Sequence, residues 1–380
     1  MDSSYSWHPG AFRLASRWAV PTALLPDEIL SSWLLRVALA NGCDPLVLMG
    51  VIWPLQRVWA MDLDRHPQAG LIDKLSELSG LAPALLEQAT LYPIAQLVLS
   101  AEPPNKQSWP WILPVGSRNR RRVGRMQYCP LCLAADERPF FRLQWRFAWH
   151  ALCARHECQL LDACPHCNAT LEPHRVQLGG NGLDVCMNCN QSLSREVSLQ
   201  PALPGAQFLQ QATDDTLRAR QMTYLNEVVS VPGWFAVIRF YIDLVRRALR
   251  TRTLSMEALA LGFPEEIRNC LGFVPLEKLT LRQRARLLDC AGRYMLMPFE
   301  HLVSEFSAVG LSRQAAFPSG VPDDVQPLKL IAAALPGRVS RPAGGCRHKS
   351  CSSQFRPRSP REVEHMMKVL RRRTAVDSGS

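Results

Sequence analysis

The sequence has no run of about eighteen uncharged apolar residues, so no segment reads as a membrane-spanning helix. It has no Gly-x-x-x-x-Gly-Lys-Ser/Thr loop, which argues against P-loop nucleotide hydrolysis. Its carboxylates are scattered, and no set stands out as the metal-binding acids of a two-metal nuclease. Met1 to Gly10 contains no basic stretch leading into an apolar one, so no secretory signal is read there and a cytoplasmic setting is expected. In that setting thiols stay reduced, and the thirteen cysteines are expected as metal ligands and core residues rather than disulfides.

What is present is positive charge and ordered cysteine spacing. The 380 residues suggest roughly two to three domains. The formal net charge of +11 favours a polyanionic partner. Binding two divalent ions through seven thiolates lowers this by only about three charges, so the basic bias survives.

Cys129-Pro-Leu-Cys132 is a two-residue knuckle, and Cys153-Ala-Arg-His156 repeats the gap twenty residues later. Cys164-Pro-His-Cys167 opens another knuckle, which Cys186-Met-Asn-Cys189 closes after eighteen residues. These separations let two half-sites converge on one tetrahedral ion, so two structural zinc ions per chain are expected. Each site then has four protein ligands and no open position for substrate. Cys158 is a possible substitute for His156, whereas His166, inside a knuckle, is a poor ligand. Cys43, Cys270 and Cys290 sit in apolar helical stretches and read as core residues. Cys346, His348 and Cys351 offer only three donors with a one-residue gap, and an unstructured tail is the favoured reading there. Phe141, Trp145 and Trp149 recur at helical spacing; they read as packing against the zinc module, with a nucleic-acid stacking platform as the alternative.

Residues 27 to 40 form an amphipathic helix candidate, with Asp27 and Glu28 favouring its start and Asn41-Gly42 its end. Leu71 to Leu78, Gly80, and a helix opening at Pro83 resemble a helix-turn-helix. Residues 102 to 117, rich in Pro and Trp, read as a linker. Arg118, Arg120, Arg121, Arg122 and Arg125 follow, with no acidic residue between Glu102 and Asp136; they are the nucleic-acid-binding candidates, a solvated basic loop being the alternative. After Pro201 the chain reads as helical throughout, with Trp234, Val237, Ile238, Tyr241, Ile242, Val245 and Leu249 on one face. Residues 336 to 373 carry eleven Lys or Arg against two Glu and read as a flexible basic tail. The expected fold is therefore mainly α: an N-terminal helical domain with linker (1–117), a tandem zinc-ribbon or knuckle module (118–200), a C-terminal helical domain (201–335) and the tail (336–380).

Pro26-Asp27-Glu28-x-x-x-Ser32-Trp33-Leu34-x-Arg36-x-Ala38 resembles the opening signature of the TniQ/TnsD family of transposon target-site selectors. The resemblance continues through Tyr128-Cys129-Pro130-x-Cys132-Leu133, Phe141-Arg142-x-x-Trp145, Cys153-x-x-His156 and the two later cysteine pairs. It implies a non-enzymatic adaptor that recruits an AAA+ ATPase regulator of a separate transposase. Some members bind attachment-site DNA, others dock as a dimer on an RNA-guided Cascade complex, and others serve resolution-site-directed elements. A sequence-specific, zinc-containing DNA-binding regulator is the alternative expectation.

Overall fold

A computed structural model describes residues 17–337 apart from 55, 57, 66–69, 105–108, 119–120, 124–125, 180–181, 195–199 and 252–273. Twelve helices and three two-stranded antiparallel hairpins occur among them. The amino-terminal half holds α1 (Leu30–Ala40), α2 (Pro45–Ile52), α3 (Leu71–Ser79), α4 (Pro83–Gln88) and α5 (Tyr92–Leu99). Next come β1 (Gly116–Arg118), β2 (Arg121–Val123), α6 (Pro130–Ala135), β3 (Leu152–Cys153) and β4 (Cys158–Gln159). The remainder is α7 (Pro204–Ala219), β5 (Gln221–Tyr224), β6 (Glu227–Ser230), α8 (Val231–Thr251), α9 (Leu281–Leu296), α10 (Phe299–Ala308), α11 (Arg313–Ala316) and α12 (Gln326–Ala334). The mainly α expectation holds, and no single helix among the described residues is long and apolar enough to cross a membrane.

Helix α1 starts later than its acidic residues suggest. Asp27 takes a left-handed conformation (φ 59°) and Ile29, not an acid, occupies the N-cap without a side-chain cap. Glu28 instead turns inward, fully buried. It accepts hydrogen bonds from Ser32 Oγ (3.0 Å) and Arg36 Nε (2.8 Å), and pairs with Arg36 Nη2 at 2.5 Å. Capping is thus corrected to ion pairing. Ile29 N–H donates to the Phe141 carbonyl, Leu143 N–H to the Asp27 carbonyl, and Phe141 N–H to Ser32 Oγ. The signature residues therefore fasten α1 to the segment between the first two metal half-sites.

A second buried network repeats that connection. Arg146, 1% exposed, pairs with Asp64 (3.0 Å) and Asp62 (2.6 Å) and donates to the Leu113 carbonyl. Ser31 N–H and Oγ both donate to Asp64 at 2.8 Å, and Val115 N–H donates to Asp62. The Pro- and Trp-rich stretch expected as a linker lies in this core: Trp109, Trp111, Ile112, Leu113 and Val115 are all buried. Its apolar content, rather than its prolines, decides its place. Gly80 closes α3 with φ 74° and Pro83 opens α4, as the sequence suggests.

Beyond Pro201 the chain is not helical throughout. α7 ends with Arg220 in a left-handed conformation, and β5 and β6 form a hairpin before α8. Leu225 and Asn226, with φ of 51° and 63°, form its two-residue turn with the hand that suits twisted strands. Leu at the first turn position conceals that turn from composition alone. The predicted α8 face is buried in full, while Arg247 donates to the carbonyls of Ala315 and Ala316. Thr280 and Gln283 form a reciprocal capping box at the start of α9.

α7 and α9 meet backbone to backbone. A Cβ on Gly292 would lie 1.9 Å from the Gly205 carbonyl oxygen, and one on Gly205 would lie 2.1 Å from that of Asp289. Asp289 accepts the Gly205 N–H at 2.9 Å. The obstacle at each glycine is main chain, so no side-chain rotation relieves it. Gly292→Ala is expected to cost about 3 kcal/mol or more, read from the denaturation midpoint against wild type.

Burial pushes the Asp64 carboxyl up to about 6; Arg146 opposes this, Asp62 adds to it and the Ser31 hydrogen bonds oppose it. A carboxyl raised above its unfolded value binds more protons folded than unfolded, so its contribution to stability falls as pH rises from about 4 to about 6. Asp64→Asn is expected to remove that component. Subtracting its stability–pH curve from that of wild type should expose the downward slope in this window, and two parallel curves would refute it.

Candidate metal centres

The first centre begins where Tyr128 and Leu161 exchange backbone hydrogen bonds at 2.9 and 2.8 Å. Cys129 follows as the N-cap of α6, Pro130 pre-sets the first helical φ, and Cys132 lies one turn on. Cys153 comes from β3, and His156 from the turn that returns to β4. His156 Nδ1 lies 3.4 Å from Cys129 Sγ, 3.4 Å from Cys132 Sγ and 3.5 Å from Cys153 Sγ. Cys132 and Cys153 Sγ are 3.6 Å apart.

Cys164, Cys167, Cys186 and Cys189 form the second centre. Cys164–Cys189 and Cys167–Cys186 Sγ distances are both 3.7 Å. All four donor atoms of each group lie within 4.8 Å of one another. A tetrahedron with Zn–S near 2.3 Å and Zn–N near 2.05 Å has edges of roughly 3.75 Å (S–S) and 3.55 Å (N–S). A disulfide requires about 2.05 Å. The donors are thus spaced around a common ion rather than bonded to each other, and both groups could hold a metal ion, consistent with zinc.

The two halves of the second centre share a backbone. Asn168 and Asn190, each four residues after the first cysteine of its pair, have φ of 57° and 56°. Cys164 N–H donates to the Ala169 carbonyl and Asn168 N–H to that of Cys164; Cys186–Gln191 and Asn190–Cys186 repeat both bonds, all at 2.9 Å. Glu157, four residues after Cys153, is likewise left-handed at 49°. Asparagine tolerates this conformation well, and a Cys-x-x-Cys-Asn pattern repeated at 164 and 186 is the sequence signal for it.

Electrostatics call for a cation. Burial pushes the Cys164 thiol up to about 12. Burial also raises Cys167, but the Asn188 amide, 3.4 Å from its sulfur, the Ala169 N–H and the neighbouring Cys189 and Cys186 thiols bring it down to about 6. Thiolates at this range repel one another, and a divalent ion offsets that repulsion.

Cys158 is paired with Cys153 across β3 and β4, its sulfur 4.0 Å from Cys129 Sγ, and lies outside the four-donor group. His166 points its Nε2 at the Ser192 carbonyl, 3.2 Å away. Cys290 is buried, as expected, and Cys43 is partly so. Cys270, Cys346, His348 and Cys351, like Arg120 and Arg125, lie outside the described residues. Arg118, Arg121 and Arg122 stand on β1 and β2 rather than in a loop. Phe141, Trp145 and Trp149 are buried, with the Trp149 ring stacked on Phe147 at 4.4 Å, which leaves no exposed stacking platform among them.

Sequence reading missed the groups that seat the centres against the rest. Gln210 of α7 accepts from Ala151 and Leu152 N–H and donates to the Leu152 carbonyl, standing in for a neighbouring strand beside β3. Asp214 accepts from Trp149 Nε1 (3.0 Å) and lies 2.8 Å from His150 Nε2. Asp162 accepts the Leu281 N–H that opens α9. Nothing in their local sequence marks these three residues.

The family model TniQ matches residues 20–160, a span that takes in the first centre and stops before the second. No curated protein matches the chain.

Elemental analysis of purified protein is expected to give about two zinc ions per chain. Cys129→Ser and Cys186→Ser should each lower that content and cost solubility and folding. Cys158→Ser and His166→Ala should retain both ions. Loss of an ion in either of these last two variants would show that the donor sets are drawn wrongly.

Proposed function

Because the chain belongs to the TniQ family through residues 20–160, we propose that it is a cytoplasmic, non-enzymatic transposition adaptor that recruits an AAA+ ATPase regulator to a selected target. The observation that carries this reading is the use made of the signature residues. Glu28, Ser32 and Arg36 spend their hydrogen-bonding groups on each other, on nearby backbone and on Phe141. A catalytic carboxylate needs reach to a substrate, and Glu28 has none. The metal centres, each with four protein donors, support a structural role for two zinc ions held by Cys129, Cys132, Cys153 and His156 and by Cys164, Cys167, Cys186 and Cys189.

The target is supplied by an RNA-guided Cascade complex, on which the chain docks as a homodimer, or by a resolution or attachment site. A sequence-specific DNA-binding regulator is the competing reading, and the shape of α3 and α4 suggests it. The composition of α4, Pro-Ala-Leu-Leu-Glu-Gln, disfavours it: Leu85, Glu87 and Gln88 are exposed and no cation stands among them. A recognition helix works in the field of phosphates, where Glu87 is repelled and nothing on this helix is attracted.

Affinity capture of the cognate AAA+ regulator by the tagged full-length chain should give a stable association that depends on intact metal centres. Zinc-loaded, monodisperse protein that fails to retain the regulator would overturn the adaptor reading. Site-specific footprinting that persists at physiological salt would favour the DNA-binding regulator instead.

A further inference from the structure

Cys158 lies against the first metal centre and belongs to neither donor set. It is 5% exposed, and its sulfur is 4.0 Å from that of Cys129, which is fully buried. Burial alone suits a free cysteine, which packs as a small hydrophobe. The neighbour here, however, is a sulfur that metal binding would hold as thiolate, the form that reacts.

The backbone on both sides of this pair is fixed. Cys158 stands opposite Cys153 in the β3–β4 ladder and bridges to Pro201, and the next residue, Gln159, donates its N–H to the Gln200 carbonyl. Cys129 is held between the Tyr128–Leu161 hydrogen bonds and the first turn of α6. Side-chain rotation is what remains free. A disulfide needs a separation of about 2.05 Å, so the two sulfurs must approach by about 2 Å between them.

A cleft of about 550 Å³, lined by Cys132, Cys153, Arg142 and His150, brings solvent to the sulfurs of this centre. Cys132 and Cys153, 3.6 Å apart, are the competing pair for oxidation. Their disulfide would take two donors away from an ion held there. One between Cys129 and Cys158 takes a single donor and leaves Cys132, Cys153 and His156. Thiol–disulfide exchange carries the mixture towards the state that keeps more donors on the ion.

We infer that Cys129 and Cys158 form a redox-sensitive site, in which a peroxide links the two sulfurs and loosens the first metal centre. The Cys129 thiolate attacks one oxygen of hydrogen peroxide; the S–O bond forms, the O–O bond breaks and hydroxide leaves, giving a sulfenic acid. The Cys158 thiol then attacks the Cys129 sulfur; the S–S bond forms, the S–O bond breaks, and the thiol proton leaves with the hydroxyl as water. Two electrons pass from the two sulfurs to the peroxide, and a reducing thiol reverses the step. The site is independent of what the chain recruits.

Full-length, zinc-loaded protein treated with hydrogen peroxide, alkylated, digested without reduction and mapped by mass spectrometry tests this, with a colorimetric chelator reading zinc. Wild type should yield a Cys129–Cys158 disulfide and give up one ion per chain to a chelator that leaves the reduced protein untouched. Dithiothreitol with added zinc should restore both ions. Cys158→Ser, shown to be folded by its zinc content and unfolding temperature, lacks the second thiol. Its Cys129 sulfenic acid should therefore be trapped by dimedone, whereas wild type should give little adduct there. Oxidised wild type whose disulfides join only the metal donors to one another would overturn the inference. Equal dimedone adduct at Cys129 in wild type and the Ser variant would overturn it as well.

Discussion

The guanidinium of Arg146 is the interaction on which the remaining arrangement depends. It is buried between two carboxylates of one segment, Asp62 and Asp64, and a backbone carbonyl of another, Leu113. Asp64 also receives the first turn of α1 through Ser31, Asp62 receives the base of the β1–β2 ribbon through Val115, and Leu113 belongs to the buried Trp-rich stretch. Removing one member of such a group leaves a desolvated charge behind, at a cost of about 3 to 5 kcal/mol. Arg146 follows the first two cysteines of one metal centre and precedes its other two donors. The fold around that centre and the packing of the amino-terminal helices are therefore specified together.

The same logic explains why a signature that looks catalytic is architectural. Glu28 and Arg36 sit eight residues apart, on one side of α1 and its approach, and neutralise each other where water is excluded. Phe141 then reads the result through Ser32 and Ile29. From later in the chain, α7 supplies Gln210 beside β3 and Asp214 to Trp149 and His150, and Asp162 accepts from the start of α9. The segment that carries the two donor sets shares one apolar core with α7, α8 and α9. A second cluster, formed by α1, α2, α3 and α4, encloses Trp33 and Leu75.

Local chemistry was legible in the sequence wherever the determining residues lie within a few positions of each other. The two-residue Cys and His pairs, the Gly80 stop, the Pro83 start and the α8 face are all of this kind. Long-range polar pairing was not. Asp62, Asp64 and Arg146 are ordinary charged residues until the fold brings them together across more than eighty positions. Asp27 and Glu28 satisfied a local capping rule, and a partner on the next turns of the helix outweighed it. The β5–β6 hairpin escaped because its turn uses Leu225 where Gly or Asn is the usual marker. The Pro and Trp content of the stretch around Trp109 to Val115 suggests a linker, whereas burial of its large apolar side chains decides its position.

The order of the metal ligands along the chain has a consequence for how the protein comes together. The first donor set closes at His156 before the second opens at Cys164. The two rings of chain are therefore separate links rather than threaded ones, and each can close without waiting for the other. Closing a ring of this length costs entropy that grows only with the logarithm of its size, so each ion fastens its own ring at similar expense. Phe141 and Arg146, which α1 and its neighbours need as docking points, both lie inside the first ring. The docking of α1 through these two residues is therefore tied to closure of the first ring, although most of that ring's residues lie more than a hundred positions after the helix.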